Sequence, residues 1–202
     1  MNTITSASNG NTGHSGSTAP VPAKLAHVVL RTSKFQEMQE WYLHVLAART
    51  IYADNGLAFL TYDEEHHRVA LLNAPDLKPQ EEGAAGVHHV AFTYATMGDL
   101  VATFERLHGL GISPVYCTNH GPTTSLYYQD PDANQIELQV DNFDSIEEAT
   151  GFFYSPDFAE NPIGVDFDPL ELARRYHAGE SDSNLKRRPR IGQRGLDSLP
   201  LR

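Results

Sequence analysis

Two histidines and one glutamate could together bind a metal ion: His27, His89 and Glu137. Each lies within a run of apolar and β-branched residues that is typical of a strand. Burying the carboxylate of Glu137 between Ile136 and Leu138 would cost free energy unless a positive group compensated it. Two imidazoles and one carboxylate are the donor set that holds Fe(II) on one face of its octahedron and leaves three positions open. Zinc accepts the same donors.

Each of these residues taken alone has a less specific interpretation. A single histidine in a strand is more often a hydrogen-bonded core or surface residue than a ligand, and the same holds for a lone glutamate between apolar neighbours. The combination is more informative, because His27 and His89 are 62 residues apart and occupy equivalent places in two similar segments. The sequence therefore favours a metal site.

Further polar residues of suitable type lie near these three. His66 and His67 open one predicted strand, His120 begins a loop, and Tyr127 and Tyr128 lie within the strand that follows. Histidine and tyrosine side chains near a metal can donate or accept protons and orient a substrate. Strand alternation puts the two adjacent tyrosines on opposite faces, so one of them is expected only to fill the sheet.

The elements that would position these residues recur along the chain. A strand, an amphipathic helix and three further strands are predicted twice, so the chain contains two βαβββ units. The predicted elements of the first unit cover residues 24–33, 34–47, 49–54, 57–63 and 66–74. Those of the second unit cover residues 86–95, 98–108, 112–119, 123–130 and 134–140. The predicted fold class is α+β, with both units forming one cupped, half-open β-barrel that has outer helices.

Side-chain alternation decides which residues could meet inside such a cup. In the last predicted strand Ile136 and Leu138 face a helix, so Glu137 points to the opposite, concave face. His27 and His89 occupy the corresponding face of the first strand in each unit. The three candidate ligands can therefore share the concave side of one sheet.

The remaining segments differ from the repeat in composition. Residues 1–22 are rich in Ser, Thr, Asn and Gly and are expected to be a disordered leader, whereas residues 23–142 hold the paired units. Residues 143–180 form an aromatic-rich extension with a short helix, which could cover the site or build a subunit contact. Residues 181–202 form a basic tail, which is expected to be solvated or to pack on a neighbouring subunit.

Composition also excludes some classes of partner. The net charge of −11 argues against nucleic acid. Membrane association is not expected either, because no apolar run reaches the roughly 20 residues that a membrane span needs. Cys117 is the single cysteine, which excludes an internal disulfide and favours a reducing, cytoplasmic location. A homo-oligomer is also expected.

With its paired βαβββ units, the chain resembles the vicinal oxygen chelate (glyoxalase/bleomycin resistance/dioxygenase) superfamily over about residues 24–141. Residues 118–137, TNHGPTTSLYYQDPDANQIE, resemble the signature of the type I extradiol ring-cleavage dioxygenases, here in a single-domain form. That signature contains a His, an aliphatic-Tyr pair, an acidic or polar residue before Pro, and a closing Glu. Its members in this chain are His120, Leu126-Tyr127, Asp130-Pro131 and Glu137. The chain departs from it at Ala133, where the family usually has Gly or Pro.

The resemblance implies a role for each matching residue. The implied metal ligands are His27, His89 and Glu137. The acid–base histidine of the family matches His67. His120 and Tyr127 match residues that hydrogen-bond the substrate oxygens and the bound oxygen intermediate. The implied cofactor is Fe(II), with Mn(II) as an alternative.

The resemblance implies an Fe(II)-dependent extradiol dioxygenase that cleaves the ring of a catechol-type diol with O₂. A second hypothesis is a glyoxalase-like or epimerase-like metal-dependent lyase or isomerase of the same fold. Such enzymes usually take a further carboxylate or amide ligand from the last strand of the first unit, but residues 66–74 contain no acid and only Asn73 as an amide. A third hypothesis is a drug-sequestering binding protein, which would not need three metal ligands.

Overall fold

The computed structural model describes residues 19–81 and 83–198 of the chain. Most of the predicted leader, residues 1–22, therefore lies outside the described residues. The first unit contains five elements: β1 (Val28–Thr32), α1 (Phe35–Val45), β2 (Arg49–Ala53), β3 (Leu57–Thr61) and β4 (Val69–Asn73). The second unit repeats this order: β5 (His89–Tyr94), α2 (Met97–Gly109), β6 (Tyr116–Asn119), β7 (Thr123–Gln129) and β8 (Gln135–Asp141). The predicted double βαβββ order is confirmed.

In each unit the first strand lies at a sheet edge and pairs in parallel with the last strand. The first sheet has the order β1-β4-β3-β2, and the second has the order β5-β8-β7-β6, extended by a ninth strand. The β5–β8 register pairs His89 with Gln135 and Ala91 with Glu137. The fold therefore brings His89 within two residues of register of Glu137 on the neighbouring strand, although 48 residues separate them in the sequence.

The helices α1 and α2 bury apolar side chains that recur at helical spacing. Met38 and Tyr42 of α1 and Leu100 and Leu107 of α2 are fully buried. They join buried residues of both sheets in one hydrophobic core. One face of each sheet is thus occupied by apolar packing, and the other face is free to carry polar residues such as Glu137. No helix in the described part of the chain is both long and apolar enough to cross a membrane.

These observations confirm the α+β class. Among the described residues the strands form two hydrogen-bonded sheets, not one closed barrel. Side chains connect the units: Tyr62 packs edge-on against Phe92 with ring centroids 5.8 Å apart. In addition, the Tyr42 hydroxyl of α1 donates a hydrogen bond of 3.0 Å to buried Asp130, which follows β7. A single cupped barrel stays a prediction.

The turn between β7 and β8 explains how Ala133 replaces a glycine. Ala133 has a φ of +73°, in the left-handed region that costs a residue with a Cβ about 1–2 kcal/mol. The Asp130 carboxylate accepts hydrogen bonds from the backbone N–H groups of Asp132 and Asn134, at 3.0 and 2.8 Å. Its carbonyl accepts one from the Ala133 N–H at 2.8 Å. These bonds offset the strain and keep the register that places Glu137.

Beyond β8 the chain forms a C-terminal extension, residues 143–198, that packs against the second unit. Its elements are α3 (Ile146–Phe152), α4 (Pro156–Glu160), β9 (Val165–Asp166), α5 (Pro169–His177), α6 (Asp182–Leu185) and a 3₁₀ helix (Leu196–Ser198). β9 pairs antiparallel with β6 and so adds a strand to the second sheet. The extension therefore continues the sheet that carries Glu137.

Basic residues of the predicted tail, Arg188 and Arg194 among them, bond within the chain. The guanidinium of Arg188 donates hydrogen bonds to three backbone carbonyls at 2.8 to 3.2 Å. Arg194 forms an ion pair of 2.6 Å with Asp166 of β9. The planar, multi-donor groups of these two residues satisfy acceptors within the chain. Packing of the tail on a neighbouring subunit stays a prediction.

Candidate metal centre

Glu137 occupies the middle of β8 and is almost completely buried. Its cross-strand neighbours are Ala91 of β5 and Tyr127 of β7. The flanking residues Ile136 and Leu138 belong to the hydrophobic core on the opposite face. Only 4% of Glu137 is exposed, so its carboxylate needs partners within the protein.

His89, the first residue of β5, supplies one of these partners. Its Nε2 atom lies 3.1 Å from Oε2 of Glu137. Burial by itself would raise the pKa of the Glu137 carboxyl. The hydrogen bond and charge of His89 oppose that effect most strongly, the nearby hydroxyls of Ser125 and Tyr127 add to it, and together they hold the pKa below its ordinary value. Glu137 is therefore an anion at neutral pH, which is the state that binds a metal cation.

His120 and Tyr127 form a second pair beside Glu137. The Tyr127 hydroxyl lies 2.8 Å from Nε2 of His120, and its ring packs edge-on against His89 with centroids 5.3 Å apart. The other ring nitrogen of His120, Nδ1, is hydrogen-bonded to the backbone carbonyl of Ile163. Burial lowers the pKa of His120, so its ring is neutral at pH 7. Burial and the charge of Glu137 raise the pKa of Tyr127, so its hydroxyl keeps its proton.

His27 and His67 lie together beside the first sheet. His27 directly precedes β1, just as His89 opens β5. Its ring centroid is 4.2 Å from that of His67, which also stacks on Phe59 of β3 at 4.5 Å. Burial, with a smaller effect of His27, lowers the pKa of His67. His67 is therefore neutral at pH 7 and able to accept a proton.

The six predicted site residues thus fall into two groups. Four of them lie in the second sheet or directly beside its strands: His89, His120, Tyr127 and Glu137. The other two, His27 and His67, lie just before strands of the first sheet. Across residues 19–81 and 83–198, no three side chains of His, Cys, Asp or Glu are grouped so that they could hold a metal ion. The complete three-ligand site therefore stays a prediction.

The spacing of His89 and Glu137 suits two ligands of one ion. Metal–ligand bonds of about 2.1 Å at right angles would separate two donor atoms by about 3.0 Å. The observed separation of Nε2 and Oε2 is 3.1 Å. His27 offers a matching imidazole at the equivalent position of the first unit. The imidazole and carboxylate donors of these residues are therefore of the types that Fe(II), Mn(II) and zinc bind.

Further groups act on the site residues and were not found from the sequence, among them Ser125 and the carbonyl of Ile163. The Ser125 hydroxyl helps to lower the pKa of Glu137 and lies on the same face of β7 as Tyr127, two residues away, so alternation could have identified it. The Ile163 carbonyl could not be found in this way. It is a backbone atom 43 residues beyond His120, and its position depends on how the extension folds.

Comparison with known proteins points to one superfamily. The profile of the Glyoxalase/Bleomycin resistance protein/Dioxygenase superfamily matches residues 24–138, which contain both βαβββ units up to Leu138 in β8. Biphenyl-2,3-diol 1,2-dioxygenase 2 of Rhodococcus globerulus is 53% identical over 157 residues, which cover 77% of this chain and 83% of the relative. Biphenyl-2,3-diol 1,2-dioxygenase 3 of the same organism is 44% identical over 170 residues, covering 83% and 90%.

Solved structures share the fold at much lower identity. A glyoxalase/dioxygenase from Nostoc punctiforme is 16% identical, with a TM-score of 0.52, and the match covers 63% of this chain and 99% of that chain. A glyoxylase/bleomycin resistance protein/dioxygenase domain from Frankia sp. is 19% identical, with a TM-score of 0.50, and the match covers 60% and 93%. Such identities establish a shared fold only, and more than a third of this chain has no counterpart in either match.

Proposed function

This chain belongs to the Glyoxalase/Bleomycin resistance protein/Dioxygenase superfamily, and we propose that it is an extradiol dioxygenase that opens the ring of a catechol-type diol with O₂. Identities of 53% and 44% to two biphenyl-2,3-diol 1,2-dioxygenases support this function. The structural observation that carries it is the buried, anionic Glu137, which lies 3.1 Å from His89 and beside the His120–Tyr127 pair.

The proposed metal ligands are His27, His89 and Glu137, and the proposed ion is Fe(II), with Mn(II) as an alternative. When bound, this ion supplies open coordination positions and one-electron chemistry. The proposal requires the two sheets to close into the cupped barrel expected from the sequence, so that His27 meets the His89–Glu137 pair. The equivalent positions of the two histidines at the starts of β1 and β5 support that closure.

The remaining site residues handle protons and substrate oxygens. His67 is neutral at pH 7 and accepts a proton from a diol hydroxyl. Tyr127 keeps its proton, which it donates to His120 in the resting protein and can turn towards a substrate oxygen on which negative charge develops. His120 is neutral, and its Nε2 lies 2.8 Å from the Tyr127 hydroxyl, so it fixes the direction of that hydroxyl.

A lyase or isomerase with a fourth protein ligand fits the chain less well. The only candidate for that ligand on β4 is the amide of Asn73. This amide donates a hydrogen bond of 2.8 Å to the carbonyl of Asn55. This bond ties the side chain to the turn between β2 and β3, and Oδ1 is the one atom of this amide that could bind a metal.

Substrate, O₂ and further copies of the chain are the proposed partners, and the cytoplasm is the proposed location. Cys117 is unpaired and buried, which suits a reducing compartment. A homo-oligomer is proposed because the aromatic extension offers a surface for a subunit contact.

Oxygen uptake provides the test. The full-length protein is loaded with Fe(II) under anaerobic conditions, 2,3-dihydroxybiphenyl or catechol is added, and air is admitted. We expect stoichiometric O₂ consumption and a yellow ring-fission product, and the zinc-loaded protein serves as the control. Iron-bound protein that turns over no member of a broad catechol panel would refute the proposal. Turnover of a hemithioacetal in its place would favour the lyase.

A further inference from the structure

His120 has both ring nitrogens engaged, and the two partners are of different chemical kinds. Nδ1 faces the backbone carbonyl of Ile163, which can only accept a hydrogen bond. Nε2 faces the Tyr127 hydroxyl at 2.8 Å, which can donate one. A neutral imidazole carries one N–H, so the carbonyl selects the tautomer with hydrogen on Nδ1 and an unprotonated Nε2.

The Ile163 carbonyl belongs to a tight turn that is organised by one buried amide. Asn161 is only 4% exposed. Its Oδ1 accepts hydrogen bonds from the N–H groups of Ile163 and Gly164, at 3.1 and 2.7 Å. Its Nδ2 donates to the Gly164 carbonyl at 3.0 Å. The side chain of Asn161 therefore fixes the backbone on both sides of the carbonyl that binds His120.

Gly164 allows this turn to approach the end of β6. Its φ of +119° is accessible mainly to glycine. A Cβ atom there would lie 2.4 Å from the carbonyl oxygen of Asn119, the residue before His120. The contact is between two backbones, so it could not be relieved by a side-chain rotation.

Arg188 ties the turn to the site from the other side. Its guanidinium donates hydrogen bonds to the carbonyls of His120 at 3.2 Å and Asn161 at 2.8 Å. A further bond of 2.8 Å reaches the Asp157 carbonyl, and the group lies over the Phe152 ring, 5.0 Å from its centroid. One side chain thus joins the backbone of His120 to the backbone of the turn.

We propose that the C-terminal extension is a positioning device for the active site, in which Asn161 and Arg188 hold the Ile163 carbonyl against His120 and so fix the His120 tautomer. With Nε2 unprotonated, His120 accepts the Tyr127 hydrogen bond and orients that hydroxyl. Asn161 and Arg188 are positioning residues, because they act through His120. The kinetic part of this inference rests on the proposed dioxygenase function, whereas the tautomer itself does not.

The tautomer can be measured directly on the unaltered protein. Full-length chain labelled with ¹⁵N-histidine and treated with chelator is examined by long-range ¹H–¹⁵N correlation NMR, and the His120 signals are assigned from their loss in His120→Gln. We expect one neutral form, with hydrogen on Nδ1. Hydrogen on Nε2, or an averaged mixture of the two forms, would overturn the inference even if the enzyme cleaves diols.

Two arginines of the tail provide a matched pair of variants. Arg188 and Arg190 both contact Asp157, but only Arg188 also bonds the His120 carbonyl. We expect Arg188→Met to give a mixture of tautomers and to lower kcat about 10-fold to 100-fold with a smaller change in KM. Arg190→Met should leave the tautomer and kcat unchanged. Arg188→Lys should restore part of the loss, since an ammonium can still donate to these carbonyls.

A milder variant covers the case in which Arg188→Met does not fold. Asn161→Asp keeps the acceptor of the turn, replaces the donor to Gly164 by an oxygen and adds a negative charge at a buried position. It should also mix the tautomers and lower kcat. In either variant, a lower kcat with an unchanged His120 tautomer would show that Arg188 and Asn161 act only on the general stability of the fold. That result would overturn the inference. An inactive wild-type enzyme with the Nδ1–H tautomer would refute the dioxygenase function and leave the positioning device standing.

Discussion

Tyr127 and Tyr128 are adjacent in β7 and both buried, yet we expect their hydroxyl groups to matter in opposite ways. Tyr127 pairs across the sheet with Glu137, and its hydroxyl lies 2.8 Å from Nε2 of His120. Tyr128 pairs with Ile136 on the core face, and its hydroxyl has no hydrogen-bond partner among the described residues. Substitution by phenylalanine removes one oxygen at each position and keeps the ring.

Tyr127→Phe should lower both stability and activity. It leaves Nε2 of His120 without its hydrogen-bond partner in a buried environment, which costs about 1–3 kcal/mol of the free energy of unfolding. The loss of one positioned donor to a reacting oxygen typically lowers kcat about 10²- to 10³-fold. We expect a decrease in that range, with a smaller change in KM.

Tyr128→Phe should leave kcat unchanged and stabilise the fold. A buried hydroxyl without a partner carries its desolvation cost uncompensated, so its removal should raise the free energy of unfolding by about 1 kcal/mol. For a chain of this size, about 1 kcal/mol corresponds to an increase in Tm of about 2–4 °C.

Oxygen-uptake kinetics with 2,3-dihydroxybiphenyl and urea unfolding followed by circular dichroism measure both effects on the same preparations. A Tyr127→Phe enzyme with the wild-type kcat would refute the catalytic assignment of this hydroxyl. A Tyr128→Phe enzyme that loses as much activity as Tyr127→Phe would refute the assignment of the two side chains to opposite faces of β7.

Two further predictions concern the metal and acid stability. Glu137→Ala should abolish metal retention after dialysis, whereas His67→Ala should keep its iron and turn over more slowly; normal iron binding by Glu137→Ala would show that the ligand assignment is wrong. Arg68 lowers the pKa of Asp63 to about 2. The contribution of this ion pair to the free energy of unfolding is therefore fully present above the ordinary carboxyl pKa of about 4, and it is lost as the pH falls through about 2. Asp63→Asn should therefore lower the urea midpoint at pH 7, and the decrease should be small because the pair is partly exposed. A decrease of the same size at pH 2 would contradict this.

The alternation of side chains along β8 was enough to predict which face carries the chemistry. A strand with one buried face has only two possible orientations, and the apolar residues Ile136 and Leu138 select one of them. The structure confirms that both lie in the core and that Glu137 faces the opposite side. The same rule distinguishes Tyr127 from Tyr128, because a hydroxyl on the Glu137 face finds polar partners and one on the core face does not.

The sequence did not predict how far His27 lies from the other two proposed ligands. Repeat symmetry predicts that His27 and His89 are equivalent, and both do lie at the start of the first strand in their unit. Alternation fixes directions within one sheet, but the distance between two sheets depends on side-chain packing between them, such as the Tyr62–Phe92 contact. Sequence periodicity contains no information about that distance.

Contacts from the extension were beyond prediction for a different physical reason. The Ile163 carbonyl reaches His120 only because Asn161 closes a turn, Gly164 permits close approach, and Arg188 bridges both backbones. A backbone carbonyl has no side-chain signature, and each bridging residue has an ordinary role in loops elsewhere. Such a network becomes visible only when the fold brings its members together.

The site is therefore built by two parts of the chain with separable tasks. The superfamily match ends at residue 138, and all three proposed ligands lie within it. His120 follows β6, which would be an edge strand of the second sheet without β9. The pairing of Asn119 with Val165 makes β6 an interior strand and anchors the residue next to His120. Metal retention should consequently depend on the paired units, whereas the direction of the Tyr127 hydroxyl depends on the extension as well.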